Sequence, residues 1–276
     1  MQHFLLTDFS FFHVVGYMAA ILIGVSLGLV GGGGSILTVP VLVYLIGINP
    51  VVSTAYSLFV VGMTSLVGAT TYMRRKLINY KIALLFAVPS FISVFLTRRF
   101  LVPAIPEEVF SNGQLSVTKS HFIMLLFAAL MTFASYAMIR QKPLHGEEMI
   151  SPRVVSKRFI CALGAVLGVL TGTVGAGGGF LIIPALVLFA NLEMKTAIGT
   201  SLLIISVNSL IGFTGDISHH QIDWIFLSEF SLLAIGGILT GTYLSVFIPG
   251  QTLKPAFGWF VLLMGCSIII KEMMQF

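Results

Sequence analysis

The chain has 276 residues, 57% of them hydrophobic and only 9% charged, with a formal net charge of +5. A soluble domain carries roughly 25% charged residues, so 15 basic and 10 acidic side chains cannot cover a water-facing surface of this size. The mean hydropathy of +1.03 and 28 glycines point to a polytopic membrane protein, and the basic joints between apolar runs set orientation in a bilayer instead of binding nucleic acid.

A spanning helix needs roughly 20 apolar residues. Eight long segments qualify, at about 12–30, 50–73, 81–98, 119–139, 157–173, 194–215, 225–248 and 254–272. No basic region precedes the first, so it reads as a helix and not as a cleaved signal. Two shorter apolar runs, 34–47 and 178–191, have 14 residues each. At about 21 Å such a run falls short of the hydrocarbon core. These runs fit short helices, re-entrant hairpins or tilted pieces whose ends lie in protein. The joints 99–118 and 140–156, with Pro103, Pro106, Pro143 and Pro152, read as surface loops. Cys161 and Cys266 stand alone in apolar runs and read as small buried hydrophobes.

The chain repeats itself. Residues 30–68 begin VGGGGSILTVP and residues 174–212 begin VGAGGGFLIIP, and the two stretches align without a gap at an offset of 144. Matched glycines (31/175, 33/177, 34/178, 68/212), a matched proline (40/184) and matched serines (57/201, 65/209) are not what chance similarity of apolar helices produces. The halves are 1–145 and 146–276. An odd number of crossings per half makes them inverted, and an even number makes them parallel.

Charge arbitrates. The joint at 74–81 reads RRKLINYK, whereas its counterpart at 215–223 reads GDISHHQID, without Lys or Arg. Five crossings per half put 11 of the 15 basic residues on the cytoplasmic side and both termini outside. Arg98 and Arg99 fall on the wrong side in that arrangement. The expectation is an all-α polytopic integral membrane protein with 8–10 transmembrane segments. Its two inverted repeats are each interrupted by a short, broken helix after a glycine-rich loop.

Inverted repeats with interrupted helices are characteristic of secondary transporters. A run of glycines breaks a helix, and the helix that follows starts with free N–H groups and a positive dipole end, a natural anion site. The candidate substrate-binding residues are therefore Gly31, Gly32, Gly33, Gly34 and Ser35 in the first loop, and Gly175, Gly177, Gly178 and Gly179 in the second. Ser57, Thr200, Ser201 and Asn208 on the following helices add side-chain donors, with Tyr56, Thr64, Ser65 and Ser209 beside them. The competing reading is structural: glycines for close helix packing, hydroxyls bonded to their own helices, Asn208 as an interhelical tie. Lys195 either meets an anion at the cytoplasmic mouth or snorkels to the interface. His219 and His220 read as ordinary surface-loop residues, and Glu229 lies one turn inside a span. No metal or cofactor is expected.

With its paired VGGGGSILTVP and VGAGGGFLIIP stretches, each followed by TAYSL (54–58) or IGTSL (198–202), the chain resembles the TauE/SafE family of sulfite and organosulfonate exporters over essentially its whole length. The resemblance implies a bacterial inner-membrane, multi-pass transporter that exports a small sulfur-containing anion. It implies about eight crossings. A passive channel for an anion or neutral solute is the alternative, and the residues leave proton coupling and homo-oligomer formation open.

Overall fold

The computed structural model describes residues 2–111, 116–140, 156–217, 221–248 and 250–274. Helix α1 (Gln2–Val30) is followed by α2 (Gly33–Pro40), which runs on through a π-helical turn at Val41–Leu45. Helix α3 (Pro50–Arg74) leads to α4 (Tyr80–Leu96), prolonged by a second π turn (Thr97–Leu101) into the short α5 (Val102–Ala104). An antiparallel hairpin, β1 (Glu108–Ser111) and β2 (Ser116–Thr118), precedes α6 (Lys119–Arg140). The remainder is α7 (Lys157–Val174), α8 (Gly179–Leu188), α9 (Met194–Asp216), α10 (Trp224–Leu244) and α11 (Gly250–Met273).

Local chemistry explains where several of these helices begin. The Asn49 side chain accepts from the Val51 N–H, and Pro50 occupies the first turn of α3, where its missing N–H costs nothing. Asn79 caps α4 through Ile82, and Asp223 caps α10 through Ile225 and Phe226. Helix α7 stops at Gly175, which adopts the left-handed conformation (φ +72°).

Among the described residues, six helical stretches are long and apolar enough to cross a bilayer: Pro50–Arg74, Tyr80–Ala104, Lys119–Tyr136, Lys157–Val174, Met194–Asp216 and Trp224–Leu244. Val15–Val30, Gly34–Leu45 and Gly179–Leu188 are shorter apolar helices. Leu22, Leu84, Ile92, Phe133, Val166, Leu232 and Leu263 are exposed on the outer faces. So broad an apolar surface is at home only in lipid. The chain is an all-α, polytopic membrane protein apart from its small hairpin.

Helices α3 and α9 form the centre, with 67% and 72% of their apolar windows buried against 28% for the α4 span. They cross antiparallel, Gly62 lying against Leu210, Gly68 against Leu202 and Gly212 against Leu58. Lipid offers no hydrophobic drive between helices, so close approach through small residues provides the attraction. The flanking pairs show the same device. On α1, Gly24 and Gly28 rest on the α10 backbone at Ala234 and at Gly241–Thr242; on α7, Gly168 and Gly172 rest on α4 at Ser90 and at Val94–Thr97. The 144-residue offset relates Gly24 to Gly168 and Ala234 to Ser90. Along α1 the short run folds back, with Gly34 at Ile23 and Leu27, and Gly16 at Ile46.

The joint 99–118 is not the loop expected from its prolines. It continues α4 through Leu101 and α5, then forms the hairpin. Pro103 lies in the first turn of α5, where proline is compatible with a helix. Arg98 is not in a surface joint either; it is fully buried. Residues 141–155, which include the boundary between the halves, and His219 and His220 lie outside the described residues.

Candidate functional site

The two glycine loops meet. A Cβ on Gly32 would overlap the Gly179 carbonyl group, and one on Gly179 would overlap Gly32 Cα. Gly31 (φ +74°), Gly175 (+72°), Gly177 (+65°) and Gly178 (+75°) all adopt the left-handed conformation, which is inexpensive only for glycine. Gly32 and Gly178 stand at the N-caps of α2 and α8, and neither helix start receives a side-chain cap. Gly33 opens α2, while Gly34 packs on α1 at Ile23 and Leu27.

The loops lie against the polar faces of α3 and α9. A Cβ at Gly177 would stand 3.0 Å from Ser209 Oγ and 2.6 Å from Val61 Cγ1. Ser57, Ser65, Asn208 and Ser209 are all buried, and Ser57 Oγ, Ser65 Oγ, Ser209 Oγ and Asn208 Oδ1 have no hydrogen-bond partner. Asn208 Nδ2 donates to Ser90 Oγ at 2.7 Å. Buried polar atoms are normally satisfied, so four orphaned groups on two adjoining helices mark a place prepared for something polar.

Other candidates have local partners. The Ser35 hydroxyl donates to the Gly32 carbonyl (2.7 Å) and Ser201 to that of Ile198 (2.8 Å), each within about a turn. Thr200 Oγ1 accepts from the Asn79 N–H at 3.0 Å. Tyr56, 144 residues before Thr200, accepts from the Asp223 N–H at 2.7 Å. Asn79 and Asp223 are themselves 144 apart, so α3 supports the capped start of α10 and α9 that of α4.

Charged residues gather at opposite poles. Near the arginine-rich joint, a cavity of about 110 Å³ is lined by Tyr72, Arg75, Leu77, Lys195, Ile198, Ser245 and Val246. Lys195 thus shares a cavity with Arg75, whose Nη1 donates to the Thr242 carbonyl at 3.0 Å. At the other pole Arg98 Nη1 lies 3.1 Å from Asp216 Oδ2 and donates to Thr54 Oγ1 at 2.9 Å. Sequence reasoning missed this cluster, having placed both charges in outer joints; the available signal was a pair of opposite charges at the ends of α4 and α9. Glu229 is exposed and accepts from Tyr17 Oη at 2.6 Å. A larger cavity of about 440 Å³ lies beside Tyr44, Asn49, His121 and Glu272. Among the described residues no cluster of His, Cys, Asp or Glu could hold a metal ion.

A bundle of apolar helices crossing at facing glycine breaks, with orphaned hydroxyls at the crossing, has the architecture of a membrane transporter. The Sulfite exporter TauE/SafE family model matches residues 17–268, and the chain belongs to that family, whose members are transporters and not enzymes. It is 29% identical to a "Probable membrane transporter protein" of Xylella fastidiosa (strain 9a5c), over 91% of this chain and 92% of the relative. It is 25% identical to "Probable membrane transporter protein YunE" of Bacillus subtilis, over 88% and 92% respectively. A third relative, "Probable membrane transporter protein MJ0441" of Methanocaldococcus jannaschii, is 27% identical over 77% and 74%. No solved structure matches significantly.

Proposed function

We propose that this protein is a secondary transporter that exports a small sulfur-containing anion, sulfite or an organosulfonate, across the bacterial inner membrane. The observation that carries the reading is the meeting of Gly32 and Gly179, with Gly177 of the second loop against the unpartnered Ser209 hydroxyl and the unpartnered groups of Ser57, Ser65 and Asn208 on the same central helices α3 and α9. Backbone N–H groups at the uncapped starts of α2 and α8 join the serine hydroxyls as donors, whereas Asn208 spends its Nδ2 on Ser90 and ties α9 to α4. An anion there is stabilised by the dipoles of the helix starts. Ser35, Thr200 and Ser201 hold the frame through their own hydrogen bonds.

The transport cycle follows from two inverted halves, 1–145 and 146–276. Three features support the inversion: the central pair α3 and α9 is antiparallel, α1 on α10 has its image in α7 on α4, and Tyr56–Asp223 has its image in Thr200–Asn79. Exchanging the packing of the halves opens the site first to one side and then to the other. Arg75 and Lys195 concentrate anions at the cytoplasmic mouth.

The test is flux in proteoliposomes, comparing sulfite, sulfoacetate, taurine and sulfate with and without a pH gradient. Saturable flux with counterflow is expected for sulfite or a sulfonate, and dependence on the gradient decides proton coupling. Unitary conductance without counterflow would replace the carrier with a channel, and no flux of any of these anions would overturn the reading.

A further inference from the structure

Arg98 is among the largest fully buried side chains of the described residues, yet only one of its nitrogens is engaged by an identified side-chain partner. Nη1 serves both Asp216 and Thr54, whereas Nε and Nη2 have no hydrogen-bond partner. Those two nitrogens share one edge of the planar guanidinium, the edge that grips a carboxylate or oxyanion with two parallel N–H bonds. A staple between α4 and α9 has no need to leave that edge empty, because a buried cation is costly unless it is both paired and hydrogen-bonded.

The empty edge faces the second glycine loop. A Cβ on Gly175 would overlap Nη2 and Thr54 Cβ, so the left-handed glycine that ends α7 also lets the guanidinium come up against the loop backbone. The opposite pole has no cation at the matching position. The 144-residue offset puts Thr242 where Arg98 would be, Tyr72 for Asp216, Ile198 for Thr54 and Gly31 for Gly175. One pole therefore has a fully buried cation in its half-site, whereas the cations at the other, Arg75 and Lys195, are only partly buried and line an open cavity.

We propose that Arg98 binds the transported oxyanion through Nε and Nη2, and that Asp216 holds the guanidinium as an internal surrogate when the site is empty. The inference rests on the anion-transport reading and adds the side chain that supplies charge recognition. Arg98 belongs to the first half and Asp216 to the second, so their bond also fastens the halves at this pole. Asp216 contacts Nη1 and not the Nε–Nη2 edge, so an arriving oxyanion shares one cation's charge with the carboxylate and weakens the fastening. Asp216 is the last residue of α9 and Ile217 beyond it is exposed, so a displaced carboxylate needs to move only a short way to a polar medium. Chloride cannot span both donors and is a poor competitor.

The experiment is equilibrium binding of radiolabelled sulfite to full-length protein in nanodiscs, with chloride as control. Asp216→Asn removes the competitor and leaves the cation uncompensated, so sulfite is expected to bind about tenfold tighter or better. Arg98→Lys keeps the charge but loses the fork and binds about tenfold weaker. The neutral pair Arg98→Gln/Asp216→Asn leaves no unpaired buried charge and is expected to lose sulfite binding while remaining monodisperse. A purely structural ion pair predicts the opposite for Asp216→Asn, lower thermal stability with sulfite affinity unchanged or weaker, and that result overturns the inference even if the other variants do not fold. Wild-type protein that binds and moves sulfite with an unaltered constant in the neutral pair also overturns it, leaving the transport reading intact. Wild-type protein that neither binds nor moves any of the anions sinks the transport reading and this inference with it.

Discussion

Replacing Gly177 by alanine tests whether the close approach of the second glycine loop to α3 and α9 is needed for transport. Gly177 sits at φ +65°, where a side chain costs about 1–2 kcal/mol. Its new Cβ would stand 2.6 Å from Val61 Cγ1 and 3.0 Å from Ser209 Oγ. Val61 is β-branched and buried, so it cannot swing aside, and overpacking adds about 1–3 kcal/mol. The expected loss is roughly 2–5 kcal/mol. Two other glycines separate the contributions. Gly47 shares the positive φ (+82°) but its Cβ would meet nothing within 4 Å, so Gly47→Ala should lose only about 1–2 kcal/mol. Gly236, inside α10, has neither constraint, and Gly236→Ala should gain about 0.5–1 kcal/mol. Thermal unfolding in detergent should order the variants Gly236→Ala, wild type, Gly47→Ala, Gly177→Ala, from most to least stable, and sulfite flux should fall sharply only in the last. A Gly177→Ala protein as stable as Gly47→Ala with full flux would refute the close approach of the loop to α3 and α9.

Ser209→Ala and Ser65→Ala remove buried hydroxyls that have no partner; stability should hold or rise by up to about 1 kcal/mol while flux falls, and a loss of stability with normal flux would make these hydroxyls structural. Tyr56→Phe and Thr200→Val each strand the N–H that starts a flanking helix of the other half; each should cost about 1–2 kcal/mol by thermal unfolding, and a cost at one site only would break the reciprocity. Arg75→Gln with Lys195→Gln should slow initial sulfite entry into the cavity they line, with the deficit shrinking as ionic strength rises; a deficit that ignores salt points to a packing defect.

Most of the helices were legible because their signals are local. Hydropathy put the eight long segments on α1, α3, α4, α6, α7, α9, α10 and α11 and the two short runs on α2 with its π turn and α8, overrunning the ends of α2, α4, α8 and α10 by a few residues; among the described residues six helices are long and apolar enough to span. Asn49, Asn79 and Asp223 each cap a helix within three residues of themselves. The joint at 99–118 misled because Pro103 reads as a breaker, although proline in a first turn is compatible with a helix.

The site divides along the same line. That the glycines at 31–34 and 175–179 break the helices follows from sequence, since a run of glycines has no steric reason to stay helical, and the repeat paired them. That the two loops touch, that Ser35 and Ser201 spend their hydroxyls on nearby carbonyls, and that Ser65 and Ser209 do not, could be known only after packing chose each helix's neighbours. Arg98 and Asp216 show the limit most plainly. Each lies at the end of an apolar run, where hydropathy assigns a charge to the interface, and the repeat has no matching charge to pair them. The residence of this chain in a bilayer and its internal duplication were determined by sequence alone, because both are sums over local residue character. Which charge is buried against which was decided by tertiary structure, because that contact exists only where the extension of α4 packs against the end of α9.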